Sequence, residues 1–280
     1  MRTLILTLLL CSCAPAPPTL RAQDTSAPEP VTTVSDPRPK LKEPLTLLWL
    51  NTYGNIRLTD RFFWIAQTHF RFQETAERPF AGQIAQVYNR HAISYLYSKY
   101  FRASLGGVLR INFNTNGVGE NEQRTVPEWR IWHEYQFAQP LSRLMIYHRI
   151  RLEHRWTRRF ATDSDWTYRN RWRYMLRMKY PLNHPKLSPG TVYLAPESEI
   201  ILQSGKTVSG SPLEDLRLTT TLGYIVTPRL TLAGGAMYSL GQDITDGALY
   251  KQKWTIRLHA YFTPDFRKFR NKLPAIHFDE

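Results

Sequence analysis

Two segments of the chain carry arginine at alternate positions: Arg149, Arg151 and Arg155 around Glu153, then Arg169, Arg171, Arg173 and Arg177. Guanidinium groups at this density form charge-assisted pairs with carboxylates, or they hold phosphate and sulfate groups. Carboxylates to meet them are present at Glu128, Glu134, Glu197 and Glu199, with Arg130 between the first two. Such acids could act in pairs as proton donor and acceptor or hold a hard cation. With so many arginines nearby, cross-strand ion pairs are the simpler chemistry. His133, His148 and His154 are the candidates for a base beside a serine nucleophile, as a lipid-directed hydrolase requires. No serine stands two residues after any of them. Both cysteines, Cys11 and Cys13, lie near the start of the chain. If that segment is removed, disulfides, thiolate catalysis and thiolate zinc go with it. Nothing in the pattern implies a cofactor or a metal.

Stepping from residues to the elements that carry them, period 2 dominates. From Leu144 to Trp156 the even positions are Leu144, Ile146, His148, Ile150, Leu152, His154 and Trp156, while the odd ones are mostly charged. From Tyr168 to Tyr180 the even positions carry four aromatics and two other apolar residues, and the odd ones carry all four arginines of the second set and Lys179. Each segment is a strand with one apolar face and one charged face. Soluble sheets alternate too, but their strands are commonly five or six residues long, and these run to about twice that, as a tilted strand crossing a bilayer needs. Tyr168 and Tyr180, like Phe62 and Phe72, bracket the apolar face as interfacial girdles do. The expected fold is therefore all-β, an antiparallel transmembrane β-barrel of about 10 to 12 strands. Its interior would collect the Arg and Glu sets above with Gln67, His69, Arg71, Arg90, Arg110, Asp215, Arg217, Lys251, Lys253 and Arg257. A mixture of both signs at this density can fill a small barrel and close it.

Eleven such segments are expected between Leu47 and Phe262, separated alternately by short turns and longer loops. Short turns on one rim and long loops on the other suit a barrel whose short turns face the periplasm. Eleven is an odd number, whereas bacterial single-chain barrels have even ones. The count predicts either a further strand, for which the leader is the place, or one segment that is not in the wall. Gly106-Gly107 and Gly234-Gly235 fall inside strands, where they allow curvature or close approach.

The N-terminus reads as a signal peptide over residues 1–22: Arg2, an apolar run from Leu4 to Leu10, then small residues and prolines to Ala22. A lipoprotein signal with Cys13 lipidated is the alternative. A Pro-rich disordered leader follows over 23–44, then the barrel over 45–263 and a C-terminal tail over 264–280. With 42% hydrophobic and 13% aromatic residues the barrel segment can bury a substantial core. No run of about 18 apolar residues exists, so a helical span is excluded, and the mean hydropathy of −0.42 agrees. The net charge is +14. Loss of Arg2 and Arg21 with the signal leaves the remainder strongly basic, which points to an anionic surface, since export excludes nucleic acid as a partner.

The stretches LWLNTYGNIRLTDRFFWIAQTHFRF, EWRIWHEYQF, LMIYHRIRLEHRW, YRNRWRYMLRMKYPLN, VYLAPESEI and DLRLTTTLGYIVTPRLTLAGGAMYSL together resemble the bacterial barrel family catalogued as domain of unknown function 2490. The resemblance covers about Leu47 to Phe262. It implies the outer membrane of a Gram-negative bacterium and brings no assigned activity. Where that family often has an amide residue before the arginine of a late strand, this chain has Asp215-Leu216-Arg217. Three function classes follow: a structural or assembly-linked barrel with a side-chain-filled interior, a small anion-preferring channel, and a phospholipase-like enzyme. The first is favoured, with outer-membrane lipid as partner and lipopolysaccharide or anionic solutes as further ligands.

Overall fold

The computed structural model describes residues 40–208, 212–243 and 246–267. The signal segment, most of the leader, both cysteines and the end of the tail lie outside the described residues. A two-residue strand β1 (Lys40–Leu41) precedes β2 (Leu45–Arg57), β3 (Phe62–Gln73), β4 (Gln83–Ser98), β5 (Phe101–Phe113) and β6 (Thr125–Leu141). There follow β7 (Leu144–Thr157), β8 (Thr167–Pro181), β9 (Val192–Ser204), β10 (Leu213–Thr227), β11 (Leu230–Gln242) and β12 (Leu249–Phe262). From β2 to β12 each strand pairs antiparallel with the next, and β12 then pairs with β2 to close the sheet on itself. Long strands survive here because closure leaves no free edge.

All eleven long segments stand in the wall, and no further wall strand exists among the described residues. The odd count is resolved at the closure instead. In a meander of eleven strands the first and last point the same way, so β12 meets β2 in parallel, with Lys253 opposite Leu45 and Phe262 opposite Gly54. The expectation of a wholly antiparallel barrel is thus corrected to a mixed one. β1 adds no wall strand but continues the seam, with Lys40 opposite Leu249. The leader therefore joins the sheet before Leu45. At the other end Arg57 bridges Asp265, also in parallel, and Arg267 is held by Asp265 at 2.8 Å and by Asp60 at 2.5 Å. Parallel pairing is slightly weaker per residue, and the seam is lengthened at both ends.

The ladder between β8 and β9 is interrupted. Pairing runs from Asn170 opposite Ser204 to Arg177 opposite Glu197 and resumes only at Tyr180 opposite Leu194. Pro196 lies in the gap, and having no N–H it cannot donate to β8.

Alternation governs burial along most of the wall, with the end of β2 from Tyr53 to Arg57 buried throughout. On β7 Arg149, Arg151, Glu153 and Arg155 are buried while Ile150 is exposed, and on β8 Arg171, Arg173 and Arg177 are buried while Tyr168, Trp172 and Tyr174 are exposed. The interior also holds apolar groups. Phe63, Leu96 and Tyr147 form one cluster and Tyr193, Ala195 and Ile225 another, both toward the short-turn rim. The glycine pairs divide. A Cβ on Gly106 would strike the His91 carbonyl oxygen, and one on Gly235 the Thr220 carbonyl oxygen, so both mark close backbone approach. Gly107 and Gly234 have their nearest neighbours at 3.6 and 3.4 Å.

Gly106→Ala and Gly235→Ala should therefore each cost about 1 to 3 kcal/mol through overpacking, while Gly107→Ala and Gly234→Ala stay near neutral. Urea titration of the four variants refolded in detergent reads the difference, and equal midpoints for the two pairs would contradict it.

Candidate functional site

Strands β5 to β10 turn their inward positions into one ion-pair network. At its centre Glu153 accepts from Arg130 at 2.9 Å, Arg171 at 3.0 Å and Arg173 at 2.8 Å. Arg173 also reaches Glu199 at 2.7 Å, and Glu199 accepts from Arg149 at 2.6 Å and Arg217 at 3.3 Å. Glu128 holds Arg155 at 3.1 Å, with Arg130 and Arg110 on the same carboxylate. Glu134 pairs with Arg151 and lies 3.7 Å from Arg149, and Glu197 pairs with Arg177 and lies 3.7 Å from Arg257. Register explains the meshing. Arg151 stands between Glu134 on β6 and Arg173 on β8, and Arg177 stands directly across from Glu197 on β9. Glu128 and Glu134 are 0% exposed, so these are desolvated charges whose cost is offset only by multiple charge-assisted contacts.

Of the arginines in the two alternating segments, Arg130 and the glutamates set against them, all but Arg169 form ion pairs here. Arg71 and Arg90, also expected inside, have no carboxylate within ion-pair distance among the described residues. Arg169 sits at the long-loop rim, donates to Thr157 Oγ1 at 3.3 Å, and has no carboxylate within ion-pair distance among the described residues. Two participants escape the period-2 reading or were passed over by it. Glu214 pairs with Arg155 at 3.2 Å and Arg171 at 2.7 Å, although its parity places it outside. The pairing of β10 with β9 slips between Leu213 and Asp215, and that bulge lets Glu214 and Asp215 both face inward. No local residue type announces it. Arg102 is 1% exposed and donates to Asn55 at 3.2 Å and Gln136 at 3.1 Å across the interior. It shares parity with Arg110, so that signal was readable.

The histidines lie elsewhere. His148 Nδ1 is 2.8 Å from the Tyr174 hydroxyl, and His154 Nδ1 is 2.9 Å from the Tyr168 hydroxyl, all on the outer face. His133 lies on the same face, its ring tilted 30° to that of His154 with the centroids 6.1 Å apart. Among the described residues no group of three His, Cys, Asp or Glu is placed to hold a metal ion.

Free space is unevenly distributed. At the long-loop rim a cavity of about 610 Å³ reaches Arg158, Arg169 and Lys251. Below it one of about 350 Å³ is lined by eight arginines and two lysines with Glu214 and Asp215. At mid-barrel the space shrinks to about 40 Å³, and beside Tyr147 and Lys179 to about 10 Å³. The interior is a vestibule that tapers into packed side chains.

A family model described as Protein of unknown function (DUF2490) matches residues 46–249. The chain belongs to that family. In this DUF2490 protein the match begins in β2 and ends at the first residue of β12, so it takes in every residue of the ion-pair network named above except Arg257. No curated protein and no solved structure matches the chain.

Glu153→Ala should leave three guanidiniums without their shared acceptor and destabilise the DUF2490 barrel by about 3 to 5 kcal/mol. Glu214→Ala, at the wetter edge of the network, should cost clearly less. Denaturant unfolding in detergent checks the order, and a reversed order would mean that Glu153 is not the hub.

Proposed function

We propose that the protein is an outer-membrane β-barrel of a Gram-negative bacterium, structural or assembly-linked, with an interior sealed by its own side chains. The observation that carries the reading is the inversion of polarity: charges are buried inside the wall and large apolar side chains are exposed around it. Leu105 is 63% exposed, Leu218 and Leu222 54% each and Ile131 53%. Soluble monomers rarely show contiguous apolar patches beyond a few hundred Å², whereas here the apolar belt continues from strand to strand.

Aromatic residues border the belt on both sides. Toward the long loops Trp129, Trp156 and Tyr168 stand in one row, as do Tyr238 and Trp254. Toward the short turns Phe62 faces Tyr95, and Phe101 faces Phe137. Trp129 and Phe137 are eight residues apart on β6, about 26 Å along the strand. At a strand tilt of about 35 to 45° that length covers about 20 Å of the barrel axis, approaching the apolar band of about 25 Å between aromatic girdles that a bilayer-spanning barrel presents. Several polar groups on this face pair with one another, as in the His148–Tyr174, His154–Tyr168 and Trp64–His91 contacts, which suits surroundings without water. The taper of the interior favours the sealed reading over an anion channel.

A charge on the belt separates this reading from a soluble one. Ile131→Arg and Leu222→Arg would change the stability of a soluble protein by at most about 0.5 kcal/mol, because both sites are exposed. On a lipid face they should each cost about 2 to 4 kcal/mol near the midplane. Folding yields into lipid vesicles measure the cost, and wild-type yields for both variants would remove the membrane reading. A tagged wild-type protein should fractionate with the outer membrane, run faster unheated than boiled on detergent gels, and give no steady chloride conductance in a planar bilayer. Persistent chloride-selective current would promote the channel.

A further inference from the structure

The vestibule carries more positive charge than its carboxylates neutralise. Ten cationic side chains line the 350 Å³ cavity with only Glu214 and Asp215. Glu128, Glu153 and Glu199 reach these cations from behind, and Asp243 holds Lys251 at 2.5 Å, so carboxylates remain in the minority. The excess is localised. Arg71, Arg90 and Lys253 line the cavity and have no carboxylate within ion-pair distance among the described residues.

Two of the three are nevertheless firmly held, by partners other than carboxylates. The Arg71 guanidinium lies on the Trp49 ring at 3.7 Å and donates to the Tyr88 hydroxyl at 2.8 Å. The same hydroxyl accepts from Arg110 at 2.9 Å, so one tyrosine sets two guanidiniums side by side. Arg90 is 6% exposed, donates to Gln67 at 3.0 Å and lies over Trp132. The Nε of Arg71 and of Arg90 finds no acceptor. Aromatic faces and amide or phenol oxygens orient these cations and leave them without a carboxylate counter-ion. An uncompensated buried charge is costly unless a counter-ion joins it, and orientation in advance lowers the cost of binding one.

We propose that the long-loop end of the barrel interior is a binding site for a phosphate- or sulfate-class oxyanion, with Arg71 and Arg90 toward the blind bottom of the vestibule and Lys253 nearer its mouth. The proposal rests on the sealed interior of the preceding reading and adds a ligand to it. Planar guanidiniums match the paired oxygens of such groups, and the combined space suits a small molecule bearing one. The group could belong to a free solute or to a lipid headgroup entering from the long-loop rim.

The test uses the full chain in a phosphate-free detergent at constant ionic strength, with chloride as the balancing anion. Inorganic phosphate and sulfate should bind saturably by calorimetry and raise the thermal midpoint, and Arg71→Gln and Lys253→Gln should each weaken binding at least tenfold. Lys99→Gln, on an exposed short turn, should leave it unchanged. Response to dihexanoyl phosphatidate with none to inorganic phosphate would also support the site and assign the oxyanion to a lipid. If a variant fails to fold, the phosphate-dependent midpoint of the wild type still decides. Folded wild-type protein indifferent to all three probes, or Arg71→Gln binding as tightly as wild type, would overturn the proposal. Outer-membrane fractionation and heat-dependent mobility are read independently, so loss of the oxyanion site is distinguishable from loss of the membrane reading.

Discussion

Everything in this barrel depends on the need to give each buried guanidinium a partner. Closure of the sheet places every second residue of eleven strands in a space with little water, and the chain fills that space with arginine. Glu153 and Glu199 meet the need by serving several arginines each, with Arg173 joining the two. A carboxylate shared in this way ties three or four strands to one another through side chains. Cross-links of this kind oppose shear between neighbouring strands, which the backbone ladder alone resists weakly where a proline interrupts it, as Pro196 does between β8 and β9.

The network is also polarised along the barrel axis. Toward the short turns the interior packs aromatic and aliphatic groups, with Tyr53 stacked on Tyr261 at 4.8 Å and the Phe63 and Tyr193 clusters close by. Toward the long loops it holds cations and open space. One half therefore resembles an ordinary core, and the other a wet basic cup. Arg71 and Arg90, which lack carboxylate partners, line that open space, where water or a ligand can reach them.

Much of this was legible from residue order because a strand has an unambiguous period. Once the apolar parity of Leu144 to Trp156 is fixed, the opposite parity must share one side, and the same count on β6, β8, β9 and β10 assembles most of the Arg and Glu set. Parity fails where the backbone departs from it. Glu214 counts as outward and turns inward because a bulge adds a residue that no glycine or proline marks. Parity is also blind to closure. It predicts eleven wall segments but not how the first and last meet, because the hand-to-hand pairing of β2 with β12 depends on two stretches two hundred positions apart. The even-number rule is a habit of one class of barrels, and parallel hydrogen bonding at a single seam suffices to set it aside. Arg71 and Arg90 were readable as inward residues, but their neutral company of Trp49, Tyr88 and Gln67 comes from three different strands and only appears in three dimensions.

The parallel seam gives the molecule a direction that an even meander lacks. β2 enters the wall at the long-loop rim and β12 leaves it at the short-turn rim, so the described chain comes in at one mouth and goes out at the other. In an even-stranded barrel both ends would hang from the same side. Here Lys40 and Arg267 stand at opposite mouths of the barrel. The fold thus works as a stitch, with the described chain drawn in at one mouth and out at the other.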